Sequence, residues 1–525
     1  MNRFYCHRID DDARGLLFLI IAMLFTLFLL SGCATNPVTG KNELMLISEA
    51  MELEMGQKNY LPARQMQGGD YVVNPEVTAY VREVGQKLAA VSDRKLPYEF
   101  SVLNNSGINA WAMPGGKLAI NRGLLLKMDS EAELAAVLGH EIVHAAAKHG
   151  ARQMQQALLL QGAMMAATLV IQDSVDDEST QALGLMGAEV VAALLNSKFS
   201  RDDERQSDHY GMTYMSRAGY DPYGAVRMQE VLLNESQGQQ GDLISNMFSS
   251  HPPSQERINI NRAFASQLPA GKNGRDEYHQ RLASLFKVAP AYAAYDEGQK
   301  AIKAKDYHKA RAMAERAIRI EPREAKFHLL RGSALEHGRN SRAALAAYRQ
   351  AVNLSPTYYE PHLRLGLLLD GMGHRYQAKQ ALENSVRFLK SASALQRLGS
   401  YALADGNSNL ARQYLREASA SNSPDGQKAY AELLGFDLPA NAGNYLTAQV
   451  SLSADNRLQY VIRNNTPFPI SNVIIQSNEP SGSKRLSMNS AIPGYQKSTL
   501  LTNRQLTQEE LYNFSVNVIS ASLAK

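Results

Sequence analysis

Two histidines and a glutamate stand at a spacing that can hold a metal ion. The segment HEIVH places His140 and His144 four residues apart, with Glu141 beside the first of them. Residues before it carry apolar side chains at helical spacing, and Asp129 and Ser130 are candidate N-terminal caps. Residues four apart share one helix face, so both imidazoles can reach one ion. Glu141 could then accept a proton from a water molecule held there. In a chain with 12 histidines the motif alone is only a hypothesis.

A further ligand would have to come from another helix. The segment SRDDERQSDHYG offers Glu204 and Asp208, again four residues apart. Two imidazoles and a carboxylate fill three corners of a zinc tetrahedron and leave the fourth to water, whose pKa falls to about 7. We therefore expect one Zn²⁺ per chain, although other divalent metals occupy such sites. His149 and His209 lie five residues from His144 and Glu204, away from the ligand face, and are not expected to be ligands.

The N-terminal segment is typical of an exported lipoprotein. The run LLFLIIAMLFTLFLL covers residues 16–30, which is short for a membrane span of about 20 residues but suits a signal peptide. LSGC follows at once and resembles a bacterial lipobox, which predicts a signal peptide over residues 1–32 and lipidation of Cys33. An uncleaved anchor helix with an incidental cysteine is the alternative. Ala34 in the next position favours the outer membrane, facing the periplasm.

Composition and cysteine content narrow the remaining possibilities. The chain has 45% hydrophobic and 20% charged residues, as an ordinary globular protein does. Its net charge of +4 gives no basis for nucleic-acid binding. The other cysteine, Cys6, would leave with the signal peptide, so a metal would have to be bound by histidines and carboxylates.

The chain divides into three predicted domains after the signal peptide. Residues 33–285 are mainly helical, with one β-like segment, GGKLAINRGLL, that starts at Gly115. Two apolar stretches, 157–171 and 182–195, are predicted to be buried helices rather than membrane segments. Residues 440–525 alternate apolar and polar residues between turn clusters, which predicts a small β-sandwich-like domain.

A repeat of about 34 residues occupies residues 286–425. Glycines recur at spacings of 34, 34 and 33 residues, and an alanine follows each of them by twelve residues. Proline ends three of the four units. This is the pattern of about four tetratricopeptide (TPR) repeats, which form an α-solenoid with a concave binding surface. The residues concerned are Gly298, Gly332, Gly366, Gly399, Ala310, Ala344, Ala378, Ala411, Pro322, Pro356 and Pro424.

The spacing of the metal-site residues resembles that of the gluzincin clan of the Ste-type CAAX proteases and HtpX. HEIVH is followed, sixty residues after its second histidine, by Glu204, Asp208 and then Gly211. The resemblance implies a mainly α zincin domain with a small edge β-sheet. It also implies that Glu204 is the third zinc ligand and that Asp208 orients a ligand histidine. A degenerate fold that has lost its metal is the alternative.

The same resemblance extends to two further segments. NAWAMPGGKLAINRGLL looks like the family's edge strand and its approach, against which a peptide substrate pairs. The implied strand residues are Gly115, Gly116, Lys117, Leu118 and Ala119. SSHPPSQERI resembles a late family element, which implies that His251 can take the open zinc position and keep the protease latent. Arg257 would stabilise the oxyanion or form a structural ion pair. Trp111 is expected to be a packed aromatic rather than a substrate platform.

With the lipobox and the repeats added, the chain resembles the TPR-bearing β-barrel assembly-enhancing proteases over about residues 33–422. The resemblance implies a lipid-anchored periplasmic zinc metalloendopeptidase that degrades misassembled outer-membrane proteins. Unfolded outer-membrane proteins would be its substrates, and the assembly machinery would bind the repeats. The alternative is mainly a TPR chaperone or scaffold whose peptidase is latent or rarely used.

Overall fold

A computed structural model describes residues 33–157, 159–160, 195, 198–238 and 250–524. The chain forms two compact units, one that extends to Gly373 and one that runs from His374 to the C-terminus. The boundary between them falls inside the predicted repeat array. The predicted signal peptide and most of the two apolar stretches lie outside the described residues. Within those residues, no helix combines the length and the apolar character needed to cross a membrane.

The first unit begins with the elements that build the predicted metal site. In chain order these are β1 (Cys33–Thr35), β2 (Asn42–Leu44), α1 (Glu49–Met66), α2 (Pro75–Ala90), β3 (Glu99–Leu103), β4 (Ala110–Met113), β5 (Lys117–Asn121), α3 (Arg122–Leu125), α4 (Glu131–Ala146), α5 (Arg201–Arg217), α6 (Tyr223–Gly238), α7 (Gln255–Ala265) and α8 (Arg275–Arg281).

Helix α4, which carries HEIVH, lies at the centre of this unit. Every residue of α4 except His140 is buried, as expected of a helix that is apolar around most of its circumference. The helix begins at the predicted cap, because the Ser130 hydroxyl accepts a hydrogen bond from the Glu133 backbone N–H at 3.3 Å. Its neighbours are α2, α5, α6 and the sheet, so the motif is held from several sides.

The small sheet corrects the prediction of the substrate edge strand. Its order is β3-β5-β4, so β5 lies in the middle, parallel to β3 and antiparallel to β4. Lys117, Leu118 and Ala119 therefore have partners on both sides, and Gly115 and Gly116 form the turn before them. A strand paired on both sides cannot accept a further chain. Among the described residues, the strand next to α4 that has a free edge is β4.

The repeat appears as successive antiparallel helix pairs. The first unit contains α9 (Ala283–Lys303), α10 (Tyr307–Ile320), α11 (Ala325–His337), α12 (Ser341–Leu354) and α13 (Tyr359–Gly371). A Cβ added at Gly332 would lie 2.4 Å from the Tyr348 ring, so the glycine permits the close approach of α11 and α12. The recurring alanines are fully buried, as the spacing predicts: Ala310, Ala344, Ala378 and Ala411.

The second unit combines the remaining repeat helices with a β domain. Its helices are α14 (Arg375–Phe388), α15 (Ala392–Ala404), α16 (Ser408–Ser419) and α17 (Pro424–Asn441). A 3₁₀ turn, Ala442–Asn444, leads into β6 (Leu446–Leu452), β7 (Arg457–Asn464), β8 (Ile470–Glu479), β9 (Gly482–Met488), β10 (Lys497–Gln505), α18 (Gln508–Leu511) and β11 (Ser515–Leu523). Two three-stranded antiparallel sheets, β10-β7-β6 and β11-β8-β9, share one apolar core. Leu434 and Leu438 of α17 also belong to that core.

Candidate metal centre

Four side chains from three parts of the first unit converge on one point. His140, His144, Glu204 and His251 each offer a donor atom, and these atoms all lie within 4.8 Å of one another. His144, Glu204 and His251 are at most 5% exposed, and His140 is the most accessible of the four. The predicted ligands are therefore together in the structure, and the segment that contains His251 is folded back onto them.

The donor atoms have the separations of a tetrahedral zinc site. His140 Nε2 lies 3.0 Å from His144 Nε2 and 3.4 Å from His251 Nδ1. Glu204 Oε1 lies 2.8 Å from His251 Nδ1 and 3.4 Å from His144 Nε2. Zinc bonds of about 2.0–2.1 Å place two tetrahedral donors about 3.4 Å apart. Three imidazoles and one carboxylate are also donors that zinc prefers, so the residues fit one zinc ion.

A close helix crossing places the carboxylates opposite the histidines. A Cβ added at Gly211 of α5 would lie 3.0 Å from the His140 backbone nitrogen, and one at Gly139 would lie 3.1 Å from the Gly211 oxygen. Only glycine at both positions allows the two backbones to approach this closely. Helix α5 is fixed at its start by a capping box between Ser200 and Asp203. Glu204 is thereby held on the turn that faces His144.

On one side of the centre, a chain of contacts orients His140. Its Nδ1 lies 3.0 Å from Asp208 Oδ1, which accepts a hydrogen bond from Arg257 Nη2 at 2.7 Å. Arg257 Nη1 also lies 2.7 Å from Glu204 Oε2. Burial alone would raise the pKa of Asp208, but the Arg257 charge and the hydrogen bonds from His140 and Arg257 lower it to about 2. Asp208 is thus an ionised partner of His140, and Arg257 forms the ion pair that was one of its two predicted roles.

On the other side, His144 contacts a histidine that sequence reasoning did not connect with the site. His149 is fully buried, and its Nδ1 lies 3.1 Å from His144 Nδ1. Helix α4 ends at Ala146, and Lys148 adopts a left-handed φ of 61°, which turns the chain back toward the centre. His149 does not belong to the group of donors, as predicted, but it supports one of them. The Phe199 ring covers the same side, with its centroid 3.9 Å from that of His144.

Glu141 is positioned to handle a proton. It is 2% exposed, and its Oε2 accepts no hydrogen bond from the described residues. Its Oε1 lies 3.8 Å from His251 Nε2. Burial raises the pKa of Glu141, so the carboxylate binds a proton more readily than an exposed one would. The arrangement gives a buried base beside the donors.

A cavity of about 40 Å³ opens beside Glu141 and His251. Its floor is apolar and comes from α4, α5 and α6, with Val137, Met212, Met228 and Leu232 among its side chains. One water needs about 10–15 Å³ of such space, so the cavity is large enough for a few waters or one short aliphatic side chain.

Two other residues, His209 and Trp111, were considered in the sequence analysis. The His209 ring stacks on Phe264 at 4.1 Å and is not one of the four donors. Trp111 is 6% exposed and packs edge-on against Tyr60 at 5.9 Å, as a packed aromatic does. It lies on β4 and belongs to an apolar cluster with Tyr60 and Met113.

Comparison with known proteins identifies the domain around this centre. Residues 75–263 match peptidase family M48, and this range contains all four donors and Glu141. The chain therefore carries an M48 peptidase domain, as the resemblance of the HEIVH helix and the Glu204 segment implied.

Similar proteins include bacterial assembly proteases. The beta-barrel assembly-enhancing protease of Escherichia coli (strain K12) is 28% identical over 225 residues, which cover 42% of this chain and 43% of that protein. The protein of the same name from Yersinia pestis is 25% identical over 347 residues, covering 61% and 70%. The chain spans about half the length of several curated relatives that it matches.

Among solved structures, a thermophilic TPR protein from Thermus thermophilus is 20% identical, with a TM-score of 0.25. The match covers 30% of this chain and 90% of that one. A TM-score this low carries no argument, so the repeat assignment depends on the helix pairs described above.

Proposed function

We propose that the chain is a zinc metalloendopeptidase held in the periplasm by a lipid anchor. The observation that carries this proposal is the buried set of four donors, His140, His144, Glu204 and His251, with Glu141 beside them. The M48 match over the same residues supports it.

Each residue of the centre has a chemical task in peptide hydrolysis. His140, His144 and Glu204 would hold a zinc ion, which when bound would supply a Lewis acid that activates water and polarises a carbonyl. Glu141 takes the proton from the attacking water and then gives it to the leaving nitrogen. Burial raises the pKa of this carboxylate, so it accepts the proton more readily than an exposed carboxylate would. Arg257 keeps Asp208 and Glu204 in place through its ion pairs.

The substrate peptide extends along β4 rather than along the predicted residues 115–119. The Asn121 N–H donates to Asn109 O, so hydrogen-bonded pairs alternate along β4 and β5 and leave the backbone groups of Ala110 and Ala112 pointing outward. An extended peptide can pair with these groups. The cavity beside Glu141 would then take a short aliphatic side chain of the substrate.

His251 is the gate of this proposed protease. As a fourth donor it fills the tetrahedral position that a water or a substrate carbonyl needs. The segment that carries it must therefore move before cleavage, and the chain is latent while His251 stays in place.

The first experiment compares zinc content and casein cleavage of the purified wild type, Glu141→Gln and His251→Ala. We expect about one zinc per chain in all three. Glu141→Gln should lower cleavage by at least 10²-fold because the proton acceptor is lost. His251→Ala should raise it because the fourth position opens. Retained turnover in Glu141→Gln, or no gain in His251→Ala, would contradict the role of the residue concerned.

Location and partners follow from the remaining features. Cys33 would carry the lipid, and the repeats would bind proteins of outer-membrane assembly, since the chain is similar to relatives named beta-barrel assembly-enhancing protease. Misassembled outer-membrane proteins are the proposed substrates. Cys33→Ser should release the protein from the membrane fraction without changing its peptidase activity. A variant that remains in the membrane fraction would exclude Cys33 as the anchor.

The second candidate function is a TPR chaperone or scaffold with a rarely used peptidase. The helix pairs α9–α16 favour it, because such arrays bind protein segments on their concave side. Complementation of a deletion strain separates the two functions. Full rescue by Glu141→Gln with none by an array deletion would make scaffolding the main function, and the reverse result would make it proteolysis.

A further inference from the structure

Three charged side chains are buried where the first two repeats meet the peptidase part of the first unit. Arg122 and Glu324 are each 2% exposed, and Lys326 is 8% exposed. Charged groups are rarely buried unless they are paired and hydrogen-bonded, because the loss of hydration is large. None of the three contributes to the metal centre, so their burial needs another reason.

All three hold the same short loop, residues 104–109, which joins β3 to β4. Glu324 Oε2 accepts hydrogen bonds from Asn104 Nδ2 at 2.9 Å and from the Tyr292 hydroxyl at 2.5 Å. Lys326 donates to the Asn104 backbone oxygen. Arg122 Nη2 donates to the Ser106 hydroxyl at 2.7 Å. The side chain and backbone of Asn104 are thus fixed from the start of α11.

Arg122 and the repeat are also linked directly. The Arg122 guanidinium lies 3.3 Å from the centre of the Tyr292 ring, on α9. The same tyrosine donates to Glu324, so one ring connects the buried cation with the buried anion. Burial lowers the pKa of Lys326, because the charged ammonium group loses its hydration at this junction.

The last turn of α1 is held by the start of the third repeat. Gln65 donates through Nε2 to the Thr357 oxygen at 3.0 Å and accepts from the Tyr359 N–H at 2.9 Å. Gly69 has a left-handed φ of 74°, and its oxygen accepts the Asn104 N–H at 2.9 Å. The loop that follows α1 and the loop before β4 are therefore clamped together beneath the repeats.

The loop that this junction holds directly precedes β4, the strand with which we propose that the substrate peptide pairs. From these contacts we propose that Glu324 and Lys326 are positioning residues for β4, so that the start of the second repeat is part of the substrate cleft as well as a surface for partners. The proposal rests on the proposed function for its consequence in catalysis. The metal donors are not involved, so losing the clamp affects how the peptide is held rather than how zinc is bound.

The test uses the purified full-length protein with Glu324→Gln and Lys326→Met. Glu321→Gln is the matched control, since Glu321 is buried in the same turn but pairs with Arg323 instead of the loop. Three quantities are measured: kcat and KM for a peptide substrate, zinc content, and hydrogen exchange of the amides of residues 104–113 and of α4.

We expect Glu324→Gln to raise KM about tenfold with kcat within twofold of the wild type. Amides of residues 104–113 should exchange at least tenfold faster, while zinc content and the α4 amides stay unchanged. Lys326→Met should act in the same direction, and Glu321→Gln should match the wild type. Unchanged exchange in residues 104–113 would overturn the proposal, and so would uniformly faster exchange with loss of zinc. If neither the wild type nor His251→Ala cleaves the peptide, the proposed function fails, and the exchange pattern still decides whether the clamp holds β4.

Discussion

The Nδ1 atoms of His144 and His149 lie 3.1 Å apart, and only one of them can carry the proton between them. If His144 offers Nε2 to a metal, its Nδ1 carries the hydrogen and donates to His149. His149 then keeps its own hydrogen on Nε2, which lies 3.4 Å from Gln206 Oε1. Burial lowers the pKa of His149 to about 4, so the ring is neutral at pH 7 and can accept. His149 therefore fixes the ring orientation of a ligand from outside the donor set.

Replacing His149 tests this role at the scale of one side chain. We expect His149→Phe to weaken zinc binding by about 10–100-fold, because the ring volume is kept and the acceptor is lost. His209→Phe is the control, since His209 stacks on Phe264 and is not one of the four donors. Competition with a chromophoric chelator measures both affinities. Equal zinc affinities in wild type and His149→Phe would show that His144 is oriented by its packing, for example against Phe199.

Some residues of the metal centre could be predicted from the sequence, and others could not. The spacing of His140 and His144 follows from helix geometry, so their common face could be predicted. His149 could not, because its position depends on the end of α4 and on the left-handed turn at Lys148, a residue with little preference for that conformation. His251 lies 47 residues from Glu204 in the chain and was placed by the family resemblance alone.

At the scale of elements, the free edge of β4 is where we propose that a peptide binds. The sequence predicted a β-like segment that starts at Gly115 but not which neighbours it would have, because a residue pattern typical of a strand does not distinguish a middle strand from an edge strand. Among the described residues, β5 has two partner strands and β4 has one. Recognition of the helices was easier, since the caps and the 34-residue period are local signals.

The free edge can be tested by removing one backbone donor from it. In Ala112→Pro the lost N–H points away from β5, so the pairing of β4 with β5 and the fold should survive. We expect kcat/KM for peptides to fall by up to about tenfold, the value of one hydrogen bond of about 0.5–1.5 kcal/mol. Zinc content should not change. Ala112→Val retains the N–H and is the control for the added side-chain volume. A proline variant as active as the valine variant would place the substrate elsewhere.

At the scale of the whole molecule, the two compact units have separate apolar cores, and the metal donors all belong to one of the units. All four metal donors belong to the first unit, whose core surrounds α4. The core of the β domain belongs to the second unit and contains no residue of the centre. A ligand that binds only the folded state stabilises the unit that contains its site, by about 2.7 kcal/mol when it is present at a hundred times its Kd.

Calorimetry of the full chain should therefore resolve two unfolding transitions. Adding a chelator should change the midpoint temperature of only one of them. We expect removal of zinc to lower one midpoint by several degrees and to leave the other unchanged, so that the second unit acts as an internal reference. In Glu204→Gln, which lacks the carboxylate donor, both midpoints should be insensitive to the chelator. If both midpoints of the wild type fell together, the two units would unfold as one cooperative body, and metal binding would stabilise the β domain as well as the peptidase.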